Sequence, residues 1–436
     1  MITVVPQPDE WVRFQHHARR VVKVAVRGAE TSEGRFLTHS TAFEVLQDHY
    51  PQPALLPNLQ HLEWLDDEAA SYASMFIQPT LRRINFQPQA TEHLRSILSA
   101  IEAHAPDILE LQLTDMFVVL EQVRAELSQT ICALHCLEKP QVVHVPLESD
   151  AVIHLSQLPR LLEASLLLDD DNADALDFSV RDRFPALQEH AALAVTYDGS
   201  DTAERMALHL ESIASPTLNS VVANICFTTP PPSQSMERLF VSMAHFEHLW
   251  RCKIVFVSPP ADYDPFPADI LSPLLVLRKI TVFELFHPPI ELTRDVVRDM
   301  LQAWPNLRSM TLHIYAHTQL ELEDLILFAE HSSALDKLSV HVRDVPVNWA
   351  FDVDADLRPS ALSALCLGKT FVPHTAKHAV AEFLARVFPG AELSHFHTRS
   401  SVRGAYAGSV LDGVRKLKAD LVKQPRLGLS QRARID

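Results

Sequence analysis

Glycine is scarce in this chain, with nine in 436 residues, where a share of about 7% is usual. Loops that cradle phosphates need glycine for close backbone approach. None of the nine forms a Gly-x-Gly-x-x-Gly or a Gly-x-x-x-x-Gly-Lys pattern, which excludes the common nucleotide loops. A Gly-x-Ser-x-Gly elbow is also missing, so nothing sets a histidine beside one particular serine for nucleophilic catalysis. Long apolar runs are missing too: no stretch approaches the roughly 20 apolar residues that span a bilayer. Met1 to Asp9 carries neither the basic nor the apolar segment of a secretory signal. Positive charge is in deficit, with 38 Lys and Arg against 55 Asp and Glu and a net charge of −17. A nucleic-acid binder needs a basic face to release counterions from phosphates, so neither nucleic acid nor membrane is an expected partner. The five cysteines, Cys132, Cys136, Cys226, Cys252 and Cys366, are odd in number and scattered. They give no disulfide framework and suit a reducing compartment, cytoplasmic or nuclear.

Proline and apolar residues are plentiful. There are 29 prolines, and 47% of the chain is hydrophobic. One short pattern recurs: leucine, two residues, an apolar residue, one residue, an apolar residue. It reads Leu59-Gln-His-Leu62-Glu-Trp64, Leu81-Arg-Arg-Ile84-Asn-Phe86 and Ile108-Leu-Glu-Leu111-Gln-Leu113. Later copies centre on Val221, Ile280, Met310, Leu338 and Leu365, and weaker ones lie near Val143, Ala164, His190, Cys252 and Phe396. From Leu62 to Phe396 the centres span 334 residues in twelve steps, about 28 each, inside the leucine-rich-repeat range of roughly 20–29.

The last two apolar positions of each copy alternate, as in a short strand with one buried face. Between copies the spacing turns helical, as at Leu94, Ile97, Leu98 and Ile101, and at Met236, Leu239, Phe240 and Met243. Prolines such as Pro57, Pro305 and Pro389 end a helix and start the turn into the next strand. One strand and one helix cannot bury their apolar faces alone, but about thirteen stacked copies can. The expected architecture is an α/β, leucine-rich-repeat-like right-handed solenoid. Its parallel strands line the concave face of a horseshoe and its helices the convex face. Residues 1–55 would hold an N-terminal cap and a first strand–helix unit, 56–400 the solenoid, and 401–436 a C-terminal helix and basic tail. A compact α/β enzyme also alternates strand and helix, but its glycine-rich turn is missing.

Other groupings invite chemistry and fall short of it. His395 and His397 share a strand face but lack a third metal ligand. Cys132 and Cys136 have i, i+4 helical spacing, and His135 alone does not complete a site. Asp169 to Asp174 has the look of a calcium loop without its glycine, and Arg181 stands where the glutamate belongs. Pro230–Pro232 and Pro259–Pro260 read as loops between repeats. His190 occupies an apolar position, which favours a misaligned repeat there. No catalytic residue, cofactor or metal is therefore expected.

Strand residues alternating with the buried ones would face a protein ligand: His61, Glu63, Arg83, Asn85, Glu110, Gln112, Lys279, Thr281, Phe283, Ser309, Thr311, His313, Lys337, Ser339 and His341. Phe283 would be an exposed aromatic among them.

Leu56-Pro-Asn-Leu-Gln-His-Leu-Glu-Trp64, Pro79-Thr-Leu-Arg-Arg-Ile-Asn-Phe86, Leu155-Ser-Gln-Leu-Pro-Arg-Leu161, Ser215-Pro-Thr-Leu218 and Trp304-Pro-Asn-Leu307 resemble the F-box/leucine-rich-repeat proteins abundant in mushroom-forming fungi. Asp9-Glu-Trp11-Val-Arg-Phe14 and Ala18-Arg-Arg-Val21 resemble the stretch leading into their first repeat. The likeness covers roughly residues 9–400. It implies an ancestry among the substrate receptors of cullin ubiquitin ligases; the chain itself is expected to be a monomer. Eight residues precede Asp9, and no Leu-Pro-x-Glu-type F-box start is present. Docking to the adaptor Skp1 and to cullin is thus expected only if an F-box is supplied upstream.

Overall fold

A computed structural model describes residues 7–27, 40–50, 54–66, 69–87, 90–113, 121–168, 183–195, 202–226, 231–257, 264–287, 290–313, 318–351, 360–367 and 370–394. The chain divides into two compact units, Met1–Cys226 and Phe227–Asp436. The first holds β1 Lys23–Arg27, β2 His61–Leu65, β3 Arg83–Phe86, β4 Glu110–Leu113, β5 Lys139–Pro146, β6 Glu163–Leu168, β7 Glu189–Val195 and β8 Ser220–Cys226. The second holds β9 Arg251–Val257, β10 Val282–Phe286, β11 Ser309–His313, β12 Lys337–Val340, β13 Ala364–Cys366 and β14 Glu392–Ser394. Within each unit the strands follow chain order and every neighbouring pair is parallel.

Parallel neighbours need a crossover, and here helices supply most of them. The first unit has α1 Pro8–Ala18, α2 Ser40–His49, α3 Thr91–His104, α4 Arg124–Ala133, α5 Ser149–Gln157 and α6 Thr202–Ser212. The second has α7 Ser233–Ala244, α8 Arg294–Ala303, α9 Ile326–His331 and α10 Lys377–Val387. Each stripe expected from spacing is buried: Leu94, Ile97, Leu98 and Ile101 on α3, and Met236, Leu239, Phe240 and Met243 on α7. Segments of 3₁₀ helix, 7 and 9 residues long, replace an α-helix at Ala70–Phe76 and Ala268–Val276. Pro273 lies inside the second, where it removes a donor and blocks an α-helical turn. This is a leucine-rich-repeat-like α/β fold.

The backbone register fixes which residue is the centre of each copy. Val24, Leu62, Ile84, Leu111 and Pro140 align in one row, and so do Ala164, His190 and Val221. Cys252, Phe283, Met310, Leu338, Leu365 and Leu393 continue it in the second unit. From Leu62 to Leu393 the centres span 331 residues in twelve steps, about 28 each. Two weak copies move: the centre sought near Val143 is Pro140, and the one sought near Phe396 is Leu393. His190 needs no realignment, since it pairs with both Ala164 and Val221. The expectation of a misaligned repeat there is overturned by the ladder. Two positions beyond the centre a second buried row runs through Trp64, Phe86, Leu113, Val142, Leu166 and Ala223, and through Ile254, Leu285, Leu312, Val340 and Leu367. Each large apolar side chain so buried is worth about 1.5–3 kcal/mol. The expected features at Asp169–Asp174, Pro259–Pro260, His395, His397 and 401–436 lie outside the described residues.

Candidate ligand face on the strands

A strand with one face packed on helices turns every second side chain the other way. β2, β10 and β11 show this directly, with half-buried and fully buried residues in strict alternation. His61, Glu63, Arg83, Asn85, Glu110, Gln112, Ser309, Thr311, His313, Lys337 and Ser339 stand at outward positions, none of them fully buried. That is where the sequence pattern put them.

Four others differ. Phe283 is fully buried, its ring 4.7 Å from that of Trp304, so it is a core residue and not an exposed aromatic. The stretch Leu277 to Phe286 supports two registers three residues apart, and the structure takes Ile280-x-x-Phe283-x-Leu285. The other register would turn Glu284 inward and strip its carboxylate of water. Thr281 consequently lies ahead of the strand, its hydroxyl donating to the Trp250 carbonyl at 3.3 Å. Lys279 lies in the preceding turn, its ammonium against His248. His341 is past the end of β12 and buried beside the equally buried Val342. Its backbone N–H donates to the Leu312 carbonyl at 3.1 Å, and alternation ends there. Arg251, Lys253, Glu284 and Phe286 take the outward places that were overlooked. Lys139, Gln141, Glu163 and Ser165 do so in the first unit. The sequence pattern misses Glu284 and Phe286 because it places the copy there three residues early, and Lys139 and Gln141 because a centre at Pro140 does not look like leucine.

Charges on the first unit are matched in rows across strands. Glu63 accepts Arg27 at 2.7 Å and meets Lys23 at 3.7 Å, and Arg83 reaches Glu110 at 3.1 Å. Lys139 pairs with Glu163. That hydrogen bond raises the Lys139 pKa, with partial burial opposing and the charges of Glu163, Glu110 and Glu189 adding. Exposed pairs of this kind are worth at most about 1 kcal/mol each. Their effect is to hold long side chains in place, which lowers the ordering cost of binding. On the second unit Arg251 reaches Glu284 at 3.6 Å. The Lys253 ammonium lies 5.3 Å from the Phe286 ring centre. The other side of Phe286 meets His313 edge-on at 5.2 Å, and His313 Nε2 is 2.6 Å from Ser339 Oγ.

The paired-cysteine idea fails on geometry. α4 stops at Ala133, so Cys136 sits in the turn beyond it and shares no helix face with Cys132. Among the described residues no group of three His, Cys, Asp or Glu could hold a metal ion, and no helix is long and apolar enough to cross a membrane. A cavity of about 300 Å³ is lined by Glu321, Glu323, Arg343, Asp344 and Trp349. Its polar groups are already engaged. The Trp349 indole N–H donates to Glu323, Arg343 Nε to the Thr318 carbonyl at 3.2 Å, and the Phe371 N–H to Asp344 Oδ1 at 3.0 Å.

No protein-family model matches this chain, and no curated protein does. Among solved structures it is similar to an internalin from Listeria monocytogenes, at 12% identity and a TM-score of 0.36, covering 88% of this chain and 89% of that one. A leucine-rich-repeat protein from Leptospira interrogans matches at 11% identity and a TM-score of 0.36, over 89% and 86%. TLR13, solved as a complex with a single-stranded RNA, matches at 12% and 0.40 over 91% of this chain. The match spans about half of the TLR13 chain, 52%. The strand order and register described above carry the fold.

Proposed function

We propose that this chain is a protein-binding repeat scaffold whose ligand surface is the strand face turned away from the helices. The observation that supports it most is the outward rows on β2 to β6 and β9 to β12. They offer charged and polar groups, held in place by cross-strand contacts, on a backbone that cannot rearrange cheaply. Repeat arrays present such surfaces to proteins. The reading extends to a substrate-recognition subunit related to the F-box receptors of cullin ligases, in a cytoplasmic or nuclear setting. That extension rests on the family resemblance; the thiols Cys132, Cys136, Cys252 and Cys366, none of them in a disulfide, suit the setting. A stand-alone scaffold without ligase linkage is the second reading, since the strand face needs no adaptor to hold a partner.

Affinity capture on the full chain, quantified by mass spectrometry, tests both. Glu110→Lys combined with Lys337→Glu is expected to remove the specific protein partners. Glu237→Lys, on the exposed side of α7, is expected to keep them. Equal capture by all three proteins would sink the strand-face assignment. Recovery of Skp1 and cullin selects the ligase reading, and their absence beside a retained partner selects the stand-alone one.

A further inference from the structure

The strand face of the second unit runs against the charge of the chain. The protein carries −17, yet the outward positions of β9 to β12 hold three cations, Arg251, Lys253 and Lys337, and one carboxylate, Glu284. Glu284 is matched by Arg251. That leaves Lys253 over an aromatic ring and Lys337 exposed, with no ion pair to either among the described residues. Phe286, on the strand next to Lys253, is half-buried on the outward side, an apolar surface with the Lys253 cation near its ring and the His313 imidazole edge-on to it. Lys337 lies three strands from Lys253 and level with Val282, four residues before Phe286, so the patch spans about 14 Å across the strands and about 13 Å along them, the reach of a short extended segment.

We propose that this patch docks an acidic, extended segment of a protein partner, one apolar side chain resting on Phe286 and carboxylates meeting Lys253 and Lys337. The inference rests on the strand face being the ligand surface and names the chemistry that face selects. Complementary charge sets which partner is admitted and how fast it arrives, more than how tightly it holds. The surrounding acidic surface repels the same segment elsewhere, so docking is confined to the patch. Ser339 Oγ lies 2.6 Å from His313 Nε2, which holds the imidazole beside Phe286.

The test uses the full chain and two fluorescein-labelled peptides read by anisotropy. One alternates glutamate and leucine around a central phenylalanine; the other has lysine at every glutamate. The acidic peptide is expected to bind and the basic one not. Lys253→Glu with Lys337→Glu is expected to weaken the acidic peptide by about tenfold or more and to flatten its salt dependence. Phe286→Ala weakens it without changing the salt slope, and Glu237→Lys, on the exposed side of α7 and off the strand face, leaves it unchanged. Equal binding of the two peptides, or no effect of the double reversal, overturns the proposal. Dimerisation of the chain that the same reversal abolishes overturns it in favour of a second copy. Loss of the cellular partner in the Glu110→Lys, Lys337→Glu protein, without any acidic-peptide binding, overturns the acidic ligand alone. Retention of that partner without peptide binding overturns the strand-face reading as well.

Discussion

Single side chains decide more here than the repeat pattern does. Cys252 is the clearest case. It stands at a centre where most copies carry a large aliphatic residue, and it is fully buried. Burial pushes its thiol from 9.0 up to about 12, because a thiolate there would lose its hydration. The unfolded chain releases that proton near pH 9 and the folded chain holds it to about 12. The folded state thus binds more protons in that window, and stability present below pH 9 is lost as the pH rises. The urea midpoint is expected to fall between about pH 8 and about pH 10.5, and to fall less in Cys252→Ala. An identical slope in both proteins would show that other groups cause it. A second consequence is inertness, since a buried protonated thiol does not alkylate in the native state. At the same scale Phe283 and Phe286 show how three residues of register separate a core ring from a surface one. Both are phenylalanines in a run of apolar residues; the register taken buries Leu285 along with Phe283 and leaves Glu284 beside Arg251.

At the scale of elements, loop length and local chemistry choose between helix types. The step from Leu62 to Ile84 is 22 residues, which leaves room for the 3₁₀ segment Ala70–Phe76 and no α-helix of ordinary length. The step from Val221 to Cys252 is 31 residues and holds the three turns of α7. From Cys252 to Phe283 the length is the same, but Pro273 keeps the connection 3₁₀. α8 shows a side-chain N-cap: Thr293 Oγ1 accepts from the Val296 N–H at 3.5 Å. The bond is long, so Thr293→Ala is expected to cost about 0.5–1 kcal/mol and Thr293→Ser close to nothing. Chemical denaturation of the three proteins measures this; equal midpoints would mean the cap contributes nothing. The helical stripes were legible because their period repeats within one element. The strand centres at Pro140 and Leu393 were not, because a strand's place depends on hydrogen bonds to neighbours 24 to 29 residues away.

For the molecule as a whole, the excess of acid is the dominant long-range feature. A net charge of −17 makes the compact state repel itself. The cross-strand pairs at Glu63, Glu110 and Glu163 relieve this only locally, and each is mostly solvent-screened. The melting temperature is therefore expected to rise when salt increases from about 0.01 M to about 0.15 M, as the screening length shortens to about 8 Å. A falling melting temperature would mean that the ion pairs outweigh the repulsion. Each repeat gains stability chiefly from the neighbours it touches, so losses of this kind are expected to spread along a unit.

Composition and spacing by themselves determined the repeat, its period near 28, the alternation of strand and helix, and the exclusion of the common nucleotide loops. These follow from how often apolar residues recur, which needs no partner in space. Only the tertiary structure moved two weak centres, from Val143 to Pro140 and from Phe396 to Leu393. It put Phe283 and His341 inside and Phe286, Lys253 and Arg251 on the outward strand face. Register is set by ladders between distant segments and by the cost of burying one carboxylate, and neither is a property of a segment read alone.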